Sequence, residues 1–365
     1  MEFSLDMMNI GDADAFIIWE KHNSKDYVIF VDGGKESDGP KVISHYNNYI
    51  KSYFTSLLKK PEIIIINTHQ HNDHLMGLFH IVDELCKMGH KPSRVYMNNP
   101  HTHISQKSYD LLKSNYEKSE KKQDDELTRL FESFNRADDF AAKIKKLDIP
   151  IYKAMSKQEM YVGDESLFKF FAPSLSFYKQ QIDLYTSETY ITSLSEKKIL
   201  LESEDSIMDD VEVKNPCPVV DEKDDASPEN LCSAITCFQS TNRKLILTGD
   251  AGVNTFKDAI LNGFDIERPF IFQLPHHGSR RNINSEIITK VQAEQIWISA
   301  AGNKKHPRKA VIVCIKKNSK KTKIYLSKLT TGDWLHINSS NGVFPDREGS
   351  KPAEALWDPT VPVTL

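Results

Sequence analysis

Residues 63–77 read IIIINTHQHNDHLMG. Four β-branched apolar residues, Ile63 to Ile66, predict a strand buried on both faces. His69, His71, Asp73 and His74 follow within six residues. The continuation LMGLFHIVDELCKM sets apolar side chains at Leu75, Leu78, Phe79, Val82, Leu85 and Cys86, the spacing of an amphipathic helix. A buried strand thus empties into a short loop that carries four metal-type side chains to a helix start, the place where α/β enzymes put their chemistry. In an extended loop His69 and His71 project to one side and reach one ion. Asp73 and His74 turn the corner and reach a second. Imidazole and carboxylate at this density suit Zn²⁺, Mn²⁺ or iron.

The chain has 365 residues, enough for one large domain with insertions. Hydrophobic content of 39% and charged content of 27% are ordinary for a soluble protein. A net charge of −4 gives no global pull toward nucleic acid or membrane. No apolar run reaches the roughly 18 residues of a membrane span, and the N-terminus lacks the basic start and apolar core of a signal peptide. Five cysteines without a C-x-x-C pair read as reduced thiols of a cytoplasmic protein.

Outward from the first motif, residues 3–32 predict a β-hairpin turning at His22–Lys25 and ending in Asp32-Gly33-Gly34, where the glycines allow a sharp turn. Asp32 is placed to accept a hydrogen bond from a ligand histidine, and Asp12, in IGDADAF, to face the site. Residues 105–147 predict one or two amphipathic helices, an insertion that is a lid over the site or a packing surface, with mixed Lys and Glu favouring a solvated outer face. Residues 149–173 read as sheet. Residues 204–230 are acidic, proline-containing and poor in aromatics, the composition of a flexible loop. From 231 the strands LCSAITCFQS and KLILTGD pair around STNR. FIFQLPHHGS and QIWISAAGN follow with a helix between them, and KIYLSKLTTGDWLHI closes the sheet. The tail 342–365 reads as peripheral.

Three further strand ends carry ligand-type residues. LILTGD ends in Asp250, a carboxylate able to reach two ions. QLPHHGSRRN carries His276 and His277. ISAAGNKKHP carries His306. Convergence of such ends is a site constellation. A second HxH pair, His101 and His103, is an alternative source of a ligand.

HxHxDH is the signature of the metallo-β-lactamase superfamily, and the chain resembles it at every position of that motif. IGDADAF, VDGG, HQHNDHLMGL, NLCSAI, LTGD, HHGS and ISAAGNKKHP resemble, in order, the hydrolase domain of the ComEC-type competence proteins. Related phosphorylcholine esterases share the arrangement. The resemblance covers most of residues 5–340. The chain departs from it in lacking the membrane channel, the choline-binding repeats, the usual glutamine of the opening motif, and the Arg-Tyr-Gly before His306. It implies an αββα metallo-β-lactamase sandwich over residues 1–341, with a helical insertion near 105–147 and an acidic loop insertion near 204–230. It implies two divalent ions per chain, Zn²⁺ or Mn²⁺: His69, His71, His276 and Asp250 on the first, and Asp73, His74, Asp250 and His306 on the second. Asp73 would also orient the nucleophile. His277 then serves the substrate as a phosphate-binding or proton-donating residue, with the exchange of His276 and His277 left open. Ser279, Asn230, Arg280 and Lys305 are the substrate-binding candidates.

The functional expectation is a dinuclear metal-dependent hydrolase of phosphodiester bonds, a nuclease acting on DNA, because Arg280, Arg281, Lys304, Lys305, Arg308 and Lys309 flank the second-half histidines. The acidic balance and bulky insertions favour the alternative of a hydrolase of a small phosphoester, cyclic nucleotide, lactone or lactam. A non-catalytic metal-binding regulatory module is a third class, against which the full set of ligand-type residues argues.

Overall fold

The computed structural model describes residues 2–345, apart from 57–58, 119–125, 158, 163–164, 197–214, 222–226, 303–305, 331 and 341. Fourteen strands among the described residues form two seven-stranded sheets. One sheet contains β1 (Glu2–Met8), β2 (Phe16–His22), β3 (Lys25–Val31), β4 (Glu62–Ile66), β5 (Arg94–Tyr96), β6 (Ile151–Tyr152) and β14 (Trp334–Asn338), in the order β14-β1-β2-β3-β4-β5-β6. The other contains β7 (Glu159–Val162), β8 (Glu165–Ala172), β9 (Ile235–Gln239), β10 (Lys244–Leu247), β11 (Ile271–Gln273), β12 (Gln295–Ile298) and β13 (Lys323–Leu326), in reverse sequential order. Each sheet changes from antiparallel to parallel midway: β3 to β6 run parallel in the first, and β10 to β13 in the second.

Period-2 alternation assigns the side chains to three layers. On β4, Ile64 and Ile66 face the other sheet with Phe16, Ile18, Ile29, Phe168, Leu245 and Trp297. Ile63 and Ile65 face outward onto the helices Gly39–His45 and Asn72–Lys87, through Val42, Leu78, Ile81 and Val82. The second sheet covers its outer face with the helices Val253–Leu261, Ser285–Val291 and Lys309–Asn318. Burial on both faces is why β4 reads as an unbroken apolar run. The layering is an αββα sandwich.

The region 105–147 forms two helices, Gln106–Lys118 and Glu126–Lys146. Their inner faces make a satellite core with Tyr178, Ile182, Tyr185, Ile191 and Leu194, from the helices Leu175–Tyr185 and Glu188–Glu196, which the sequence reading left unassigned. The expected acidic loop is partly helical, at Pro216–Asp221 and Pro228–Leu231. The stretches 204–214 and 222–226 lie outside the described residues. Phe344, at the start of the tail, is buried with its ring 5.2 Å from that of Trp19. Among the described residues, no helix is long and apolar enough to cross a membrane.

The expectation of reduced thiols fails at one pair. Cys217 and Cys314 form a disulfide between the helices Pro216–Asp221 and Lys309–Asn318, across 97 residues. Cys86, Cys232 and Cys237 are free. A crosslink over so long a loop restricts the unfolded chain, so Cys314→Ser should lower stability by about 2–4 kcal/mol. The urea midpoint reads this, and an unchanged midpoint under oxidising conditions would show that the bond contributes nothing.

Glu20, on β2, is fully buried, opposite Tyr27 on β3, and neither of its carboxylate oxygens has a hydrogen-bond partner among the described residues. Burial pushes its pKa well above the ordinary 4.5. With the folded-state pKa raised, the unfolded chain sheds this proton first as pH rises through 4.5, and stability falls. Glu20→Gln removes that loss. Its melting temperature should match the wild type at pH 4 and exceed it at pH 7–8, as measured by calorimetry; equal melting temperatures at pH 8 contradict the assignment.

Candidate active site

The site lies at the C-terminal ends of β3, β4, β10, β11 and β12, where the two sheets meet. Val31 ends β3, and Asp32 follows with φ +56°, a left-handed turn that swings its carboxylate across to the first motif. That carboxylate accepts from Asn67 Nδ2 (3.1 Å), the Thr68 backbone N–H (2.8 Å), Thr68 Oγ1 (2.6 Å) and His74 Nδ1 (2.8 Å). The chain after Asp32 lies directly against the motif helix: a Cβ at Gly77 would sit 1.8 Å from the Gly33 carbonyl oxygen. Gly33 N–H donates to the His74 carbonyl, and Gly77 N–H to that of Gly34. The second sheet approaches as closely. Gly249 has φ +50°, and a Cβ there would meet Thr68 Oγ1 at 2.7 Å, so only glycine brings Asp250 this near.

The hydrogen bonds fix the imidazoles. His74 Nδ1 donates to Asp32, His69 Nδ1 to Thr68 Oγ1 (3.2 Å) and His277 Nδ1 to the Ser299 carbonyl (2.7 Å). Asn282 gives its Nδ2 to the Asp250 carbonyl and takes His276 Nδ1 on its Oδ1 (2.8 Å). Each ring therefore turns Nε2 inward. His69 Nε2 lies 3.6 Å and His276 Nε2 3.7 Å from Asp250 Oδ2, whereas His74 Nε2 lies 3.2 Å from Asp250 Oδ1. His277 Nε2 lies 3.4 Å from Asp73 Oδ2. Among the described residues, three sets of donor atoms fall within 4.8 Å of one another: His69, His71 and Asp250; Asp73, His74 and His277; and Asp14, His74 and Asp250.

Asp73, His74, Asp250 and His277 thus join His69 and His71 in one cluster. His276 stands at its edge, its side chain 30% exposed. His306 is buried beside the pair, its ring 5.3 Å from His276 and 6.0 Å from His277. Asn230 reaches the wall of the site, with Nδ2 3.3 Å from His276 Nδ1. Ser279 and Arg280 are buried in the histidine loop, Arg280 only 2% exposed. Lys305 lies outside the described residues. His101 and His103 belong to the helical layer, against the rings of Tyr109, Phe134 and Tyr178.

The sequence reading missed two residues and misplaced one. Asp12 Oδ1 accepts from the Ala301 N–H and ties two loops together. It is Asp14, two residues on, that enters the site. Its Oδ2 accepts from Gln273 Nε2 (2.6 Å), and its Oδ1 lies 3.7 Å from His277 Nδ1. Asn282 carried no sequence signal beyond following HHGS.

Charge is balanced within the cluster. Burial pushes His71 down to about 4 and His69 well below its ordinary range. Burial also pulls down His74 and His277, but carboxylates prevail: Asp250 and Asp32 hold His74 well up, and Asp73 and Asp14 raise His277 to about 9. Burial alone would raise Asp73 and Asp250, yet the histidines hold both below the carboxylate range. Asp14 rises to about 6 because burial outweighs His74 and His277.

This donor set fits divalent metal. His69 Nε2, His74 Nε2, His277 Nε2, Asp250 Oδ1 and Asp14 Oδ1 are buried without a hydrogen-bond partner among the described residues. Orphaned atoms cost free energy unless something meets them, and here they converge.

No family model matches the sequence, and no curated protein matches it. Among solved structures, the crystal structure of the metallo-beta-lactamase fold protein YhfI from Bacillus subtilis matches at a TM-score of 0.42 and 9% identity, covering 92% of this chain and 100% of that one. The two seven-stranded sheets with helices on both outer faces form an αββα sandwich. A buried His/Asp cluster able to hold metal lies along one edge of this sandwich.

Metal binding has to displace protons from the histidines that carry them. In the metal-free protein at pH 7, His74 and His277 are protonated, whereas His69 and His71 are neutral. Filling the site with Zn²⁺ at pH 7 should therefore release protons, those of His74 and His277 among them, and the share from His277 should decline as pH rises past 9. Calorimetry in buffers of different ionisation enthalpy measures this. Release of no protons at pH 7 contradicts it.

Proposed function

We propose that the protein is a dinuclear metal-dependent phosphodiesterase, and that its substrate is a nucleic acid, DNA first. The observation that carries the dinuclear reading is the division of one carboxylate. Asp250 presents Oδ2 to His69 and His276 and Oδ1 to His74. The first ion is assigned to His69, His71, His276 and Asp250, and the second to Asp73, His74, His277 and Asp250. His277 takes the place given to His306 in the sequence reading because it is buried, anchored through Nδ1, and grouped with Asp73 and His74. His306 moves to the substrate side. Zn²⁺ or Mn²⁺ bound here would supply Lewis acidity and lower the pKa of a bound water toward neutrality.

The chain's own residues do the rest. Asp32 and Ser299 hold His74 and His277 in the tautomer that presents Nε2. Asp73, kept ionised beside His277, orients the attacking water. His306 protonates the leaving oxygen. Asn230 and Ser279 line the substrate path, and Arg280 acts from inside the protein, where its charge is screened less than at the surface. A hydrolase of small phosphoesters is the second reading, favoured by the satellite helical core built beside the site.

The test is a panel of single-stranded DNA, duplex DNA, RNA and bis-p-nitrophenyl phosphate, given to protein of measured metal content. Cleavage of DNA with close to two ions per chain is the expected result. Cleavage of the small diester alone selects the second reading, and inactivity on all four with full metal loading overturns both. His277→Ala should lose metal along with rate. His306→Ala should keep its metal and lose about 10²–10⁴-fold in rate, less for a nitrophenolate leaving group, which needs no proton. Reversed metal occupancies exchange the two roles.

A further inference from the structure

The helix Glu126–Lys146 packs on the motif helix Asn72–Lys87 in parallel register. Lys143 Nζ meets Asp83 Oδ1 at 2.5 Å, and one turn earlier the ring of Phe140 lies 5.0 Å from that of Phe79. Residues 143, 140 and 136 form one stripe of the helix, and 83, 79, 76 and 73 form the facing stripe. Stepping back another turn, about 6 Å, brings Arg136 level with the first turn of the motif helix, which carries Asp73. A helical side chain leans toward the N-terminus of its own helix, so the Arg136 stem points further along this line, to the metal-site end.

The guanidinium fits that place. Glu132 Oε2 holds Nη1 at 3.1 Å, and the side chain is only 20% exposed. Nε is buried and has no hydrogen-bond partner among the described residues. Burial lowers the pKa of the group, while the carboxylates of Glu132 and Asp73 raise it, so Asp73 is within electrostatic reach. One edge of the fork is thus fixed by Glu132, and the Nε edge is left for an acceptor. A planar pair of N–H donors beside a dinuclear site matches two oxygens of a phosphate group.

We propose that Arg136, supplied by the helical insertion, is a phosphate-binding residue that clamps the scissile phosphoryl group, with Glu132 as its positioning partner. This deepens the phosphodiesterase reading and rests on it for the substrate, but not for the binding of phosphate itself.

The experiment titrates inorganic phosphate into zinc-loaded protein by calorimetry and, separately, measures turnover of bis-p-nitrophenyl phosphate and of neutral p-nitrophenyl acetate. Arg136→Ala should weaken phosphate binding about 10–100-fold, the usual worth of a charged hydrogen-bond pair, with zinc content unchanged. The KM for the diester should rise by a similar factor, while the acetate is hydrolysed as by the wild type. Arg136→Lys, which keeps the charge but loses the fork, should fall between. Glu132→Gln should weaken phosphate binding less than Arg136→Ala. Unchanged phosphate affinity in zinc-replete Arg136→Ala overturns the proposal, as does a loss that tracks lost zinc. If Arg136→Ala does not fold, Arg136→Gln is read against the same outcomes. Arg136-dependent phosphate binding in a protein that cleaves no phosphodiester would leave the proposal standing and sink the catalytic reading.

Discussion

A carboxylate buried away from water is tolerated only where donors meet it, and Asp32 is met by four: an amide, a backbone N–H, a hydroxyl and an imidazole. Those four come from Asn67 and Thr68, just before the first motif, and from His74, its last histidine. One side chain at the end of β3 therefore fixes the path of the loop after β4, the start of the motif helix, and the tautomer of His74. Thr68 extends its reach, since the hydroxyl that donates to Asp32 also accepts from His69. Without Asp32 the loop would keep its ligand-type side chains but lose what aims them.

The same logic governs the other half of the site with different chemistry. Asn282 holds the Asp250 carbonyl with one end and His276 with the other, and the Ser299 carbonyl holds His277. The hydrogen bond of each of these rings through Nδ1 goes to a neutral group, with Asp14 Oδ1 standing off at 3.7 Å from His277 Nδ1. The second sheet thus brings neutral hydrogen-bond partners, and the first brings a carboxylate to His74 and a hydroxyl to His69. Within the first motif the pKa directions part: His74 is held up by carboxylates on both of its nitrogens, whereas at His69, whose Nδ1 meets a hydroxyl, burial outweighs Asp250 and Asp73. The cluster is asymmetric before any ion binds.

Much of this was legible in the sequence where the determinants are local. HxHxDH after four isoleucines specifies strand, loop and helix within fifteen residues, and each later strand end carries its own histidine or aspartate. What was not legible depends on pairing across the chain. The disulfide joins Cys217 and Cys314 over 97 residues, and cysteine spacing cannot show which thiols meet. Asp12 and Asp14 sit two apart in IGDADAF; in an even strand both would share a face, but they end up apart because the loop carries Asp14 to Gln273 and Asp12 to Ala301. The helices Leu175–Tyr185 and Glu188–Glu196 have their apolar faces buried against an insertion rather than a sheet, so they were not recognised as part of a core.

The helical insertion shows how a polar surface reading can be half right. Lys and Glu are mixed along 105–147, as on any solvated face, and the outer side is indeed exposed. The inner side carries Leu127, Leu130, Phe134 and Phe140 into two different cores: the first three pack with the satellite helices, whereas Phe140 packs with the motif helix. A helix that bridges two cores is held at both ends of its length, so its register against the motif helix is set by packing rather than by surface charge. That constraint matters most for residues between the two contacts. Arg136 lies there, between Phe134 and Phe140, and its backbone can shift relative to Asp73 only by disturbing one core or the other. A charged group carried on an insertion is thereby located almost as firmly as one on the sheet, which is what a site needs from a residue that meets its ligand through a planar fork.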